Sequence, residues 1–243
     1  MSILLHGDCL ELMKEIDDES VDFIFCDLPY GQTSLETNPW DIPLDLNLFW
    51  KEILRIKKLR TPIFFTTTTK YGYELLKSQK TKCPFRYDLI WKKSACVGFL
   101  LASKMPLRIH EMVYVFYEKL PYYNLADHKY TEKKSCGTID GNKCYGGKST
   151  TKSLTRSAAG KYDPPLPNSL LEVKSTRKNH STEKPVALME WLLNYYSKEG
   201  DTVFDPTMGS GSTGVACKNM NRNFIGIEKD EEIFNTACER LDF

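Results

Sequence analysis

The sequence predicts an α/β fold: a doubly wound, mainly parallel sheet carrying one inserted segment. Three observations point to it. Short β-branched and aromatic runs alternate with helical periodicities. The runs are apolar at nearly every position, as strands buried on both faces must be. The two turns richest in chemistry, after Asp27 and after Asp205, each follow one of those runs.

Residues 21–27, 62–67, 87–92, 112–117, 202–205 and 223–228 are the expected strands. Between them lie patterns of period 3.6. The stretch 9–16 places Leu10 and Met13 on one side, with Ile16 at its end. The stretch 46–57 aligns Leu46, Phe49, Trp50, Ile53, Leu54 and Ile56, and 186–197, 212–220 and 230–241 repeat the spacing. Strand–helix alternation on this scale gives a parallel sheet with helices on both faces. A chain of 243 residues has room for one such domain with an insertion, or barely two small domains.

The insertion shows in the charge. The net charge is +1, but residues 119–180 hold twelve Lys or Arg against five Asp or Glu, so that stretch carries +7 and the remainder −6. It is rich in Lys, Ser, Thr, Gly, Asn and Tyr and has little periodicity. A structureless loop of that length is unusual in a compact domain. The expected division is therefore 1–118, an inserted recognition region 119–180, and 181–243 completing the first part. Basic residues on a mildly acidic body suit a polyanion, although a solvated loop has the same composition.

No run approaches the roughly 18 apolar residues of a membrane span. Residues Ile3-Leu4-Leu5 follow the first two directly, with no basic stretch before them, so a signal peptide is not expected. The eight cysteines contain no CxxC pair, and Cys26, Cys217 and Cys238 fall within apolar periodic stretches. Free buried thiols in a reducing, cytoplasmic setting are expected, with no disulfide framework and no metal site.

The segment Phe204-Asp205-Pro206-Thr207-Met208-Gly209-Ser210-Gly211 joins a strand to a helix. Gly209 and Gly211 allow a sharp bend and a close ligand approach. With Gly214 they match a dinucleotide fingerprint, and Glu228 ends the next strand, where a ribose-binding acid would stand. A dehydrogenase is thus one reading, and a turn without a ligand another. The dehydrogenase loses on position: only one helix follows Glu228 and the remaining strands precede the loop, so the second half would have to be an earlier one that carries no glycine fingerprint. One nucleoside with a short charged tail fits better.

Asp27-Leu28-Pro29-Tyr30 also follows a buried strand, at a carboxyl edge of the sheet. An exocyclic amine on a nucleobase is a poor nucleophile because its lone pair is delocalised into the ring. The Asp27 carboxylate and the Leu28 carbonyl, accepting its two N–H bonds, would localise that pair, with Tyr30 stacked on the base. Stacking is worth about 1–3 kcal/mol, comparable with the cost of extruding a base from a duplex. A plain strand-ending turn has the same residues.

With these residues read, the chain resembles the beta group of DNA amino-methyltransferases, in which the amine motif precedes the cofactor loop, and is especially similar to small phage- and prophage-type adenine methylases. The similarity covers roughly 1–120 and 175–243. His6-Gly7-Asp8-Cys9 resembles the segment that meets the cofactor adenine, which gives Asp8 and Cys9 that role. Asp27, Leu28, Pro29 and Tyr30 resemble the catalytic motif, Asp27 also bordering the cofactor. Trp91-Lys92-Lys93 and Arg108-Ile109-His110-Glu111 resemble segments that shape the target pocket. In His180-Ser181-Thr182-Glu183-Lys184-Pro185, the resemblance implies that Thr182 and Lys184 hold the methionine carboxylate. Phe204, Asp205, Gly209, Ser210 and Gly211 resemble the methionine loop, and Glu228 the ribose acid.

Departures are Leu28 where proline is usual, and Ser181 and Glu183 where proline and glutamine are commoner. The resemblance implies a circularly permuted, Rossmann-like methyltransferase. Its cofactor would be S-adenosylmethionine, its partner double-stranded DNA, and its reaction direct methyl transfer to a flipped adenine N6, in a restriction-modification or phage setting. A homodimer is compatible with it. Cytosine N4 is the alternative target. Methylation of RNA or of a protein amide, and a DNA-binding protein that has lost catalysis, are the remaining readings. Trp40 could stack at DNA or pack on its own domain, and His110 suits a hydrogen-bonded core position.

Overall fold

The computed structural model describes residues 1–32, 36, 41–131, 161–175 and 183–242. Trp40, Thr182, Ser181 and His180 lie outside the described residues.

The main unit spans Met1–Asn124 and Ser169–Phe243. Its strands are β1 (Ser2–His6), β2 (Phe23–Cys26), β3 (Ile63–Thr67), β4 (Phe85–Val97), β5 (Arg108–Phe116), β8 (Leu170–Glu172), β9 (Thr202–Asp205) and β10 (Asn223–Glu228). They form one sheet in the order β1-β10-β9-β2-β3-β5-β4-β8. Five neighbouring pairs are parallel; only β5, against β3 and β4, runs antiparallel. The mainly parallel sheet expected from the unbroken apolar runs is the one formed.

Alternation within those runs sorts the core into two layers. Phe23 and Phe25 of β2 face one cluster with Phe64, Val113 and Val115. Helices α4 (Val186–Tyr196), α5 (Ser212–Asn219) and α6 (Glu231–Leu241) cover that face through Leu188, Leu192, Ala216, Ala237 and Leu241. Ile24 and Cys26 face the other cluster, with Ile63, Phe65, Phe116 and Phe204. There α1 (Cys9–Leu12) supplies Cys9, the turn after it Met13, and α2 (Leu46–Ile56) and α3 (Thr69–Ser78) supply Phe49, Trp50, Ile53 and Leu75. Burial of Phe49, Trp50, Ile53 and Ile56 on α2, at about 1.5–3 kcal/mol per side chain, far outweighs differences of helix propensity. Asp45 caps that helix by accepting from the amides of Asn47 (2.8 Å) and Leu48 (3.2 Å).

The crossover from β2 through α2 to β3 lies on one face, and that from β9 through α5 to β10 on the other. The order therefore reverses between β2 and β9, opening a crevice at their carboxyl ends, where ligands bind in sheets of this kind.

Gly214 fixes how tightly α5 seats. A Cβ there would lie 2.7 Å from both Leu241 Cδ1 and Phe224 Cε1. Alanine in a helix interior ordinarily gains about 0.8–1.0 kcal/mol over glycine, but overpacking costs about 1–3 kcal/mol. Gly214→Ala is therefore expected to lower the denaturation midpoint; a rise would mean that Leu241 and Phe224 move aside freely.

The strands and helices differ from the sequence reading at three places. The edge strand β1 is not among the expected strands, and neither is α3 among the expected helices, because Gly72 and polar residues weaken its pattern. β4 and β5 are longer than 87–92 and 112–117 because mutual pairing carries them through Lys92 and His110. Third, the smaller unit covers Leu125–Asn168, narrower than 119–180. Tyr123 packs on Tyr196 of α4 (ring centroids 5.2 Å), and β8 pairs with β4, so both flanks belong to the main unit. Within the smaller unit, β6 (Lys129–Thr131) and β7 (Lys161–Asp163) pair antiparallel, with Tyr130 against Tyr162 at 5.1 Å. No helix among the described residues is long and apolar enough to cross a membrane.

Candidate active site

Asp27 follows β2 directly and stands over the crevice. Its Oδ1 accepts from the Tyr30 hydroxyl (2.9 Å) and the Thr66 hydroxyl, and its Oδ2 from the Lys184 ammonium. Across the crevice, the Thr207 hydroxyl donates to the Asp27 carbonyl at 3.1 Å, tying the turn after β9 to the end of β2. The Leu28 side chain is buried in the core, so it is not available to a ligand. The chain then turns at Gly31, where φ is +61° and a Cβ would strike Pro43 Cγ at 2.4 Å. The buried Asp41 holds that turn by accepting from the amides of Gly31 (2.7 Å) and Gln32 (2.8 Å). The Tyr30 ring leans on Tyr71 at 5.2 Å.

Behind Asp27 runs a row of alternating charge. Lys184 Nζ lies 3.7 Å from Glu111 Oε2, and Lys93 pairs with Glu111 Oε1. Glu111 Oε2 is buried and accepts no hydrogen bond among the described residues. Burial alone would draw the Lys184 ammonium down, but the Asp27 and Glu111 carboxylates outweigh it and hold it above its ordinary value. Burial and the neighbouring Asp27 push the Tyr30 phenol well up, so it remains a donor.

Two cavities meet at Asp27, Thr207 and Gly209. The larger, about 630 Å³, is lined by Asp8, Cys9, Pro29, Leu44, Glu228 and Ile233 among others. Glu228 is held by three backbone donors: Gly209 N at 3.0 Å on Oε2, and Lys229 N and Asp230 N at 2.8 Å on Oε1. Asp8 caps α1 through the Leu10 amide (3.0 Å) and pairs with Lys229 (3.1 Å). Burial and Asp8 push the Cys9 thiol up to about 12, which keeps it neutral and unreactive.

The smaller cavity, about 60 Å³, lies between Lys184, Asp205, Gly209 and Ser210. Asp205 is fully buried and accepts from the Thr213 hydroxyl (2.6 Å) and the Thr207 amide (3.1 Å). Burial lifts its carboxyl to about 7, against those two hydrogen bonds and with help from the nearby Asp27 and Glu228 charges. Gly209 and Gly211 take φ of +53° and +79°, a backbone region closed to most L-residues, and Gly211 caps α5. Arg240 fastens the loop from below, on Ser210 O (3.0 Å) and on Glu183 Oε1 (2.7 Å).

The sequence-predicted residues fall into three groups. Asp27, Asp8, Cys9, Pro29, Lys184, Asp205, Gly209, Ser210 and Glu228 line one or both cavities. Tyr30 and Gly211 shape them from outside. Phe204 is wholly buried beneath the loop, packed with Ile24 and Ile227, and lines neither. Thr66 is a polar partner of this centre that reads in sequence only as a strand residue, whereas Glu111 and Thr207 fall within the pocket and loop segments already singled out, without a role of their own there.

The chain matches the DNA methylase family over residues 21–239. It is a DNA methyltransferase of the N6/N4 family. It is similar to the Type II methyltransferase M.HinfI of Haemophilus influenzae, at 28% identity over 99% of this chain and 68% of that protein. Among solved structures, this methyltransferase resembles the M1.HpyAVI–SAM complex, with a TM-score of 0.64 and 23% identity over 99% of this chain and all of that one. It also resembles the cytosine-N4-specific PvuII DNA methyltransferase, with a TM-score of 0.69 and 16% identity over 98% of this chain and 86% of that one.

Proposed function

We propose that this methyltransferase transfers a methyl group from S-adenosylmethionine to adenine N6 in duplex DNA, and that it belongs to the beta group, as the order of Asp27–Tyr30 before Asp205–Gly211 supports. The observation that carries the reading is the position of Asp27, at the junction of a nucleoside-sized cavity and a small polar one.

The residues suit the cofactor part by part. Apolar walls at Ile233 and Pro29 would hold an adenine, and Glu228, oriented by three amides, a ribose. Asp205 is apt for an α-ammonium, and the N-terminus of α5 with Lys184 for a carboxylate. When bound, the cofactor supplies an electrophilic methyl group on a sulfonium. Asp27 and the Leu28 carbonyl accept the two N–H bonds of the target amine and turn its lone pair toward that methyl. The donors on Asp27 hold its carboxylate in one orientation, so little reorganisation remains when charge develops on the nitrogen. Asp27 is also the nearest acceptor for the proton the amine sheds.

Incubation with methyl-labelled cofactor and mixed-sequence duplex DNA, then digestion to nucleosides, tests the reading. Labelled N6-methyladenine is expected. Labelled N4-methylcytosine would keep the mechanism and reverse the base, and label confined to RNA or protein would overturn the substrate. Sequencing the methylated DNA maps the recognition site.

A further inference from the structure

β4 and β5 form a hairpin that outreaches the rest of the sheet. Cys26 of β2 pairs with Phe65 of β3, and Thr67 pairs with Met112 of β5, so Glu111 to Arg108 extend past the carboxyl ends of the parallel strands. Glu111 already stands beside the catalytic centre through Lys184. At about 3.3 Å per residue, Arg108 lies roughly 10 Å farther out, on the side from which a target base must arrive. The tip then spans 98–107, closed by the pair Val97–Arg108.

That tip is apolar and bare. Phe99 is 68% exposed, Leu100 98% and Met105 55%. Single exposed apolar residues are ordinary, but three within seven positions of one turn are left uncovered among the described residues. Between Asp88 and Glu111 the sequence contains no acidic residue, while Lys92, Lys93, Lys104 and Arg108 fall there. Lys92 and Lys93 are neutralised by Glu172 and Glu111, whereas Lys104 and Arg108 meet no carboxylate among the described residues. The surface is thus an apolar point flanked by two uncompensated cations, complementary to stacked bases between phosphates. A base cannot reach Asp27 from within a duplex, and the gap its extrusion leaves costs a few kcal/mol in lost stacking unless an apolar group fills it.

We propose that the 98–107 tip is a wedge that enters the DNA stack beside the target base, Phe99 and Leu100 occupying the vacated space and Lys104 and Arg108 gripping the adjoining phosphates. The proposal rests on the DNA-methylating reading of the site.

The test uses the full chain and a duplex carrying the mapped site, either fully paired or with the target base mismatched. A mismatched base is already loosened, so a wedge matters less to it. Phe99→Ala/Leu100→Ala is expected to lose about 10- to 100-fold in kcat/KM on the paired duplex and to come within about threefold of wild type on the mismatched one. Leu100→Phe, which keeps an apolar point, should retain wild-type rates on both. Because Leu100 has almost no packing to lose, these variants should bind S-adenosylhomocysteine as wild type does. Unchanged rates on the paired duplex would overturn the wedge. So would an equal loss on both duplexes, including one accompanied by a change in mass in solution, which would make the tip a contact between two copies of the chain. Failure of wild-type protein to methylate any duplex would instead refute the underlying reading.

Discussion

Asp27→Ala is expected to lower methyl transfer by about a thousandfold or more while leaving cofactor affinity within a few-fold of wild type. The magnitude follows from the role proposed for the group: a charged acceptor aimed at the reacting nitrogen typically contributes a factor of about 10²–10³, and Asp27 also fixes the Lys184 ammonium. The cofactor arm has a sign. With Asp27 gone, Lys184 is released from a carboxylate that competes with any bound one, so binding of S-adenosylhomocysteine should hold or tighten. Asp27→Asn is the sharper variant, since it keeps the shape and the acceptor for Tyr30 and Thr66 but turns an amide donor toward Lys184. Single-turnover rates with pre-bound cofactor, paired with calorimetric titration of the product, separate the two effects. Near-normal turnover would remove Asp27 from the chemistry; a tenfold or greater loss of cofactor affinity would make it chiefly a cofactor residue.

The sequence carried the sheet well because its signal is local. Phe23-Ile24-Phe25-Cys26 is apolar at every position only because both faces are covered, and that fact is printed in four consecutive residues. The same holds for the turn at Gly209 and Gly211, where the residue type itself announces the backbone. What the sequence could not show is which distant groups meet. Lys184 touches a carboxylate 157 positions away, and the Thr207 hydroxyl reaches a carbonyl 180 positions away. No spacing rule encodes such encounters; they exist only after β2 and β9 become neighbours. Phe204 shows the converse: its place beside the glycine loop in sequence suggests a cofactor role, but strand alternation sends its side chain to the opposite face, into the core. The edges of the insertion are blurred in sequence for a related reason, because Tyr123 and β8 belong to the main unit through tertiary contacts that composition does not report.

Asp205 should make the protein trade stability for binding, and pH exposes the trade. Its carboxyl is raised to about 7 in the folded protein, from the 3.8 ordinary for an aspartate. The folded state therefore holds a proton that the unfolded chain releases between those limits. The contribution is fully present below the unfolded value, declines as pH rises, and is lost above about 7, where both states are ionised and the folded one bears the cost of a buried charge. A shift of this size corresponds to about 4 kcal/mol at most, which in a protein of this length moves Tm by several degrees. Asparagine can replace the carboxylate in place, accepting from Thr207 N and donating to the Thr213 hydroxyl, which can rotate. Asp205→Asn should thus match wild type near pH 4 and exceed it increasingly toward about pH 8. The difference between the two proteins isolates this group from the other carboxylates. Cofactor binding should move the opposite way. At about pH 8 the variant lacks the negative charge proposed for the α-ammonium and should bind about 10- to 100-fold more weakly, whereas wild-type affinity should fall by up to about tenfold per unit below about pH 7. Thermal melts and titrations across roughly pH 5–8 read both. A variant no more stable than wild type at the alkaline end would mean that the buried carboxylate is compensated by something other than Thr207 and Thr213. A variant that binds cofactor normally would move the ammonium away from Asp205, and with it the assignment of the smaller cavity.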